Sequence, residues 1–323
     1  PDALTDIAKV AVKATLHLAY QMVAQKHGYP IDLEGRRCSL DYIAFIVIGY
    51  GKVGGIELGY GSDLDLVFIH AMDEQADTDG KKPISGFEFA MRVAQKFMSL
   101  MTTQTLDGRV YEIDTRLRPS GEAGLLVTSF KAFEQYQFKS AWVWEHQALV
   151  RARSIAGENS LCQDFEQLRC RILTQVRDEG MVRDEVIKMR QKMKAHLGSS
   201  KEQQKDGIFH LKQDAGGIVD IEFMAQYAVL AWSGSNPDLA HYSDNVRILE
   251  DAAKTGCLSS SDATALIQAY LRERAESHRL ALANQSMQVN ADDWHDTREV
   301  VCKLWQRLID PNAVCALDKN DCV

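Results

Sequence analysis

The sequence predicts an α+β protein: a small mixed sheet with helices up to about residue 156, then an all-helical part over 157–310. Three observations point there. Short β-branched or aromatic runs bounded by glycine lie in the first half. Long apolar patterns of helical spacing dominate after about Gly157. Only six prolines occur, and the 21 glycines cluster in a few places, so the segments between them are free to form long elements.

In chain order, Thr5 to Lys26 reads as a helix, with Ile7, Val10, Ala11, Ala14, Leu18 and Met22 as its apolar stripe. Tyr42 to Ile48, ending at Gly49, reads as a buried strand, and Leu64 to Ile69 as a second. The acidic, turn-like segment Met72 to Ser85 is a surface loop. Phe87 to Met101 is a helix with Phe89, Val93, Phe97 and Leu100 on one side. Arg109 to Leu117 alternates as a strand does, and Leu125 to Val127 adds a short edge. The run Trp142-Val143-Trp144-Glu145-His146-Gln147 reads as core. Helices follow at Leu161–Val176, Met181–Leu197, Ile218–Trp232, Val246–Ala253, Ala263–Ala283 and Trp294–Leu308, with a polar break at Ser199–Asp206. Residues 311–323 have no periodicity and read as an irregular tail.

The composition excludes several classes of function. The 323 residues carry 37 Lys+Arg against 45 Asp+Glu, a formal charge of -8, and 46% are hydrophobic. A disordered chain has fewer apolar residues, and a general nucleic-acid binder needs a basic surface. No apolar run reaches the length of about 18 residues that a membrane span requires. The seven cysteines form no Cys-x-x-Cys pair, the nine histidines show no zinc-like pairing, and no signal peptide is visible. A reducing cytoplasm is therefore expected. The chain starts at Pro1 directly in a helical pattern, which reads as a piece of a longer protein.

The chemistry is concentrated in Gly49-Tyr50-Gly51-Lys52-Val53-Gly54-Gly55 and Ser62-Asp63-Leu64-Asp65-Leu66-Val67-Phe68. A strand feeds a glycine-rich turn, and the next strand opens with Asp-x-Asp. Residues two apart on a strand share a face, so Asp63 and Asp65 point together. Two adjacent carboxylates repel unless a cation lies between them, and Mg²⁺ with hard oxygen ligands is the natural one. Gly54 and Gly55 would let backbone N–H groups approach a phosphate, although an ordinary tight turn also explains them. Asp-x-Asp alone could be a solvated strand end; the combination with the glycine turn is what sharpens it.

The third strand adds Glu112, Asp114, Arg116 and Arg118 on one face. An aspartate with two arginines suits a metal–triphosphate site, while an exposed face with internal ion pairs is the plain alternative. Two metals bridged by Asp63 and Asp65 would serve an incoming hydroxyl and a leaving pyrophosphate. In the helical half, Gly216-Gly217 before Ile218-Val219-Asp220-Ile221-Glu222-Phe223 marks a helix start, with Asp220 and Glu222 suited to its dipole. The functional alternative has this helix N-terminus and Lys212 facing the cleft to bind nucleotide or acceptor.

Three runs together resemble a known family. They are Tyr50 to Phe68, Tyr111 to Gly121, and Gly216 to Phe223, and the resemblance extends to about Leu308. The family is that of the bifunctional glutamine synthetase adenylyltransferase/adenylyl-removing enzymes. Asp63-Leu64-Asp65 and Trp144-Glu145-His146-Gln147 resemble its C-terminal, adenylylating half. The resemblance implies a polymerase-β-like nucleotidyltransferase core over 1–156, followed by the helical domain. It implies ATP as cosubstrate, a pair of Mg²⁺ ions, and AMP transfer to a tyrosine hydroxyl of glutamine synthetase with release of pyrophosphate. It also implies control by glutamine and the PII signalling protein. Metal ligation falls on Asp63, Asp65 and Asp114, and nucleotide binding on Lys52, Gly54, Gly55, Ser62, Arg116 and Arg118. Phosphorolytic removal of AMP, or a non-catalytic module responsive to PII or glutamine, are the alternatives.

Overall fold

The computed structural model describes residues 2–104, 108 and 111–313. By Cα packing the chain divides into Pro1–Ile172 and Leu173–Val323. The first unit contains helix α1 (Asp2–His27), strand β1 (Phe45–Gly49), the single turn α2 (Gly51–Gly54), β2 (Leu64–His70), α3 (Gly86–Thr102), β3 (Ile113–Asp114), β4 (Val127–Ser129), α4 (Phe130–Lys139), α5 (Val143–Val150), β5 (Arg153–Gly157) and α6 (Asn159–Leu173). Strand β2 is the centre of the sheet. It pairs antiparallel with β1, parallel with β3 at its start and parallel with β4 at its end; β5 closes the far edge, antiparallel to β1.

The core is built from the buried strands β1 and β2 with α1 and α3. Tyr20 meets Phe89 edge-on at 5.0 Å, and Phe68 meets Phe97 at 5.3 Å. Helix α1 is correct in extent, but it buries the other stripe: Thr5, Ala8, Val12, Leu16, Ala19, Tyr20 and Val23. Ile7, Val10, Leu18 and Met22 are exposed instead. Both stripes satisfy helical spacing, and the buried one carries the larger Leu16 and Tyr20 into the core. Trp142 and Trp144 are likewise exposed, while Glu145, His146 and Gln147 are buried. Glu145 accepts from the Trp142 N–H at 2.9 Å and from the Tyr136 hydroxyl at 2.8 Å, so that run is a helix cap rather than an aromatic core.

By Cα packing the first unit extends to Ile172. Arg169 on α6 is fully buried and donates to the carbonyls of Leu149 at 3.1 Å and Val150 at 2.5 Å, which ties α6 to the first unit. The expected strand over Arg109–Leu117 shrinks to Ile113–Asp114; residues 109 and 110 lie outside those described. After Asp114 the chain turns through Ser120 and Gly121, both at positive φ, which ends the pairing.

The second unit contains α7 (Glu179–Leu197), α8 (Lys201–Lys205), β6 (Ile208–His210), α9 (Ile218–Trp232), α10 (Asn245–Lys254), α11 (Ser260–Leu282), β7 (Gln288–Asn290) and α12 (His295–Leu308). It is not wholly helical, because β6 and β7 form an antiparallel ribbon. Of the expected tail, 314–323 lies outside the described residues. Helix α9 is apolar on nearly all sides and is surrounded by α7, α10, α11 and α12. No helix among the described residues is long and apolar enough to cross a membrane.

On α11, Glu273 is fully buried, and neither carboxylate oxygen has a hydrogen-bond partner among the described residues. Burial, reinforced by the charge of Asp220, pushes its carboxyl well above the usual value of 4.5. The folded form thus keeps a proton that the unfolded form releases. That stability contribution is present at low pH and is lost as pH rises from 4.5 towards the folded value. Relative to Glu273→Gln, the wild type is expected to lose about 1.4 kcal/mol per pH unit across that window. Denaturant titrations of both proteins across pH check this, and parallel profiles would exclude it.

Candidate active site

The site lies where β1 leaves the sheet and β2 enters it. Gly51 adopts φ +54°, and a Cβ there would stand 2.6 Å from Asp65 Oδ2. Only glycine therefore allows the turn to lie against this carboxylate. The Tyr50 N–H donates to the Asp65 carbonyl at 2.9 Å, fastening the turn to β2. Lys52, on the same turn, donates from Nζ to Ser62 Oγ at 3.2 Å, and Ser62 Oγ also accepts from the Gly59 N–H at 3.3 Å.

Gly54 and Gly55 serve a different purpose from the one expected. Their N–H groups donate within the turn, to the carbonyls of Tyr50 at 3.1 Å and Gly51 at 2.9 Å. A Cβ on Gly54 would meet the Arg151 carbonyl at 2.1 Å, and one on Gly55 the Arg151 Nη2 at 2.8 Å. The close approach that requires glycine is to protein. Arg151 forms an ion pair with Glu57, each side chain 5% exposed. Arg153 donates from Nε to the Gly54 carbonyl at 3.3 Å and from Nη2 to the Val53 carbonyl at 3.2 Å. Two arginines from the α5–β5 junction thus hold the glycine turn. Sequence reasoning missed both of them, and missed Gly51 as the glycine facing the carboxylate.

Strand register brings the carboxylates together. Leu64 lies opposite Ile113 and Asp65 opposite Asp114 on the parallel pair β2–β3. Asp63 precedes β2 and, with Glu112, Asp114, Arg116, Arg118 and Glu122, lines an open cleft of about 550 Å³. Arg116 folds back on Asp114, donating from Nε at 2.8 Å and 3.0 Å, from Nη2 at 2.5 Å, and from its backbone N–H at 2.8 Å. That guanidinium holds the Asp114 carboxyl below the usual carboxylate value, and Asp114 in turn raises the pKa of Arg116, with Asp65 adding a smaller effect.

Arg118 is placed differently from the expectation of a phosphate contact. Its Nη1 donates to the Thr115 carbonyl at 2.9 Å, its Nε to the Gly124 carbonyl at 3.2 Å and its Nη2 to the Glu122 carbonyl at 3.2 Å. It braces the turn after β3. In the second unit, Asp220 accepts from the Gly216 N–H at 2.7 Å and from Arg190 Nε at 2.5 Å, the plain helix-start role.

The donor chemistry of Asp63, Asp65 and Asp114 suits a hard divalent cation. Among the described residues, however, no three His, Cys, Asp or Glu side chains are gathered as a metal group. Arg116 provides the cation for Asp114 here. Its side chain is 70% exposed, so little opposes its swinging away to free Asp114 Oδ2, while Oδ1 keeps the Arg116 backbone N–H.

The family model for glutamate-ammonia ligase adenylyltransferase matches residues 1–168, and that for GlnD PII-uridylyltransferase matches residues 187–300. The chain is similar to the bifunctional glutamine synthetase adenylyltransferase/adenylyl-removing enzyme of Acinetobacter baylyi, at 82% identity over 319 residues. That match covers 99% of this chain and 34% of the relative. The enzymes of the same description from Pseudomonas aeruginosa and Mannheimia haemolytica are each 47% identical. Both matches cover 95% of this chain, and 32% and 31% of those relatives. The chain spans about a third of the length of these relatives.

Proposed function

The chain belongs to the glutamate-ammonia ligase adenylyltransferase family, and on that premise we propose that its first unit is a polymerase-β-like nucleotidyltransferase core. In this reading it transfers AMP from ATP to a tyrosine hydroxyl of glutamine synthetase. The observation that carries the reading is the register of Asp65 with Asp114 beneath the Gly51 turn, with Asp63 in the same cleft.

Asp63, Asp65 and Asp114 would hold Mg²⁺, two ions in this reading, which when bound neutralises phosphate charge and lowers the pKa of the incoming hydroxyl. The tyrosine oxygen gives up its proton to water and forms the new bond to the α-phosphorus, the bond to the β-phosphate oxygen breaks, and pyrophosphate leaves with that electron pair. Lys52, positioned by Ser62, and Arg116, once released from Asp114, supply mobile positive charge for the polyphosphate. Gly54, Gly55 and Arg118 contribute by holding the turns that present those groups. The second unit's match to the PII-uridylyltransferase model supports a regulatory link to PII. Control by glutamine rests on the motif resemblance alone, and a cytoplasmic location on the cysteine usage.

Incubating the chain with α-labelled ATP, Mg²⁺ and glutamine synthetase is expected to label the synthetase. Release of ADP from adenylylated synthetase and phosphate, without such labelling, would assign the phosphorolytic direction instead. PII binding with neither activity would leave a regulatory module.

A further inference from the structure

Tyr136 on α4 is not among the residues that line the active-site cleft, yet it holds the turn that supplies Thr115, Arg116, Arg118 and Glu122 to that lining. The turn reverses the chain through Ser120 at φ +63° and Gly121 at φ +57°. Glycine adopts such a backbone without steric cost and serine does not, so the conformation of Ser120 persists only where its surroundings impose it. Inside the turn, the Gly121 N–H donates to the Arg118 carbonyl at 2.8 Å and the Gly124 N–H to the Gly121 carbonyl at 3.1 Å. The Ser120 N–H instead leaves the turn and donates to the Tyr136 hydroxyl at 3.1 Å.

That hydroxyl is fixed from behind. It donates to Oε1 of the buried Glu145 at 2.8 Å, and Oε2 of the same carboxylate accepts from the Trp142 N–H at 2.9 Å, at the start of α5. A hydroxyl has one proton to give, so donating to the carboxylate leaves its oxygen lone pairs for Ser120, which is what a backbone N–H requires. Burial raises the Tyr136 pKa above its usual value of 10, so the proton stays in place. The chain Trp142–Glu145–Tyr136–Ser120 thus connects two helices to the strained residue of the turn.

We propose that Tyr136 is a positioning residue for AMP transfer: by accepting from the Ser120 N–H it keeps the turn, and with it Arg116, at the cleft. This rests on the AMP-transfer reading. Without the hydroxyl, Ser120 relaxes out of the left-handed backbone and Arg116 loses its fixed origin. The charge of Arg116 meets the polyphosphate before transfer as well as during it, so the loss falls on ATP binding more than on the chemical step.

Tyr136→Phe in the full chain keeps the ring and removes the oxygen. The KM for ATP is expected to rise about five- to tenfold, the factor for one lost hydrogen bond, with kcat within about twofold of the wild type. Adding Ser120→Gly, which makes the left-handed backbone available without the hydroxyl, is expected to recover most of that rise. The affinity for ATP titrated directly in the presence of Mg²⁺ is expected to weaken by the same factor. That titration reads the positioning whether or not glutamine synthetase is labelled; absence of labelling by the wild type overturns the transfer reading alone. A fall in kcat or in the folded fraction with KM unchanged would make Tyr136 merely structural. An ATP affinity equal to that of the wild type, or no recovery by Ser120→Gly, would overturn the positioning role.

Discussion

Asp65→Asn is expected to lower AMP transfer to glutamine synthetase by about 10³-fold, a loss of ~4 kcal/mol of transition-state stabilisation. Asparagine has the same shape, so the carboxamide still fits against the Gly51 turn, where a Cβ would stand 2.6 Å from Oδ2. Only the negative charge opposite Asp114 is removed. A divalent cation then loses one of the hard anionic donors that make its binding favourable. Folding is expected to be unaffected, because like charges in register oppose folding if anything and their separation relieves repulsion. Label transfer from α-labelled ATP, measured with the unfolding midpoint, separates the two effects. Retention of activity within tenfold of the wild type would remove Asp65 from the catalytic set. A parallel fall in stability would make its role structural.

How far the site was legible follows from which contacts are local. Strand alternation and the adjacent glycine turn are sequence-near signals, so Asp63, Asp65, Lys52 and Ser62 could be grouped before any fold was known. The partnership of Asp65 with Asp114 depends on β3 lying beside β2, a pairing that joins residues far apart in the chain. The end of that strand was not legible, because Arg116 and Arg118 continue the alternation while their side chains fold back to make a turn. Helix α1 was clear in its extent and ambiguous in its face, since two apolar stripes fit the same period. The glycines were read as points of close approach, which they are, but the approaching group is Arg151, far along the chain. No local pattern announces such a contact.

That distant contact carries the other large effect expected, in the pair Arg151–Glu57. Both side chains are 5% exposed, so truncating Arg151 strips a close countercharge from the buried Glu57. Arg151→Ala is expected to destabilise the first unit by about 3–5 kcal/mol, whereas Arg151→Met with Glu57→Leu should recover most of that loss. The asymmetry arises because the pair's own attraction is largely offset by the desolvation of its two charges, while a lone buried charge has no such offset. Activity is expected to fall further than the folded fraction does. The Arg151 guanidinium packs on Gly55 and its carbonyl on Gly54, so its removal loosens the turn that carries Gly51 and Lys52. Arg151→Lys keeps the charge without the planar fork and should restore stability better than it restores transfer. Denaturant midpoints for the single and double variants, read with ATP-dependent labelling, test both halves of the argument. A cost below about 1 kcal/mol for Arg151→Ala would mean that the pair is not the anchor of the turn.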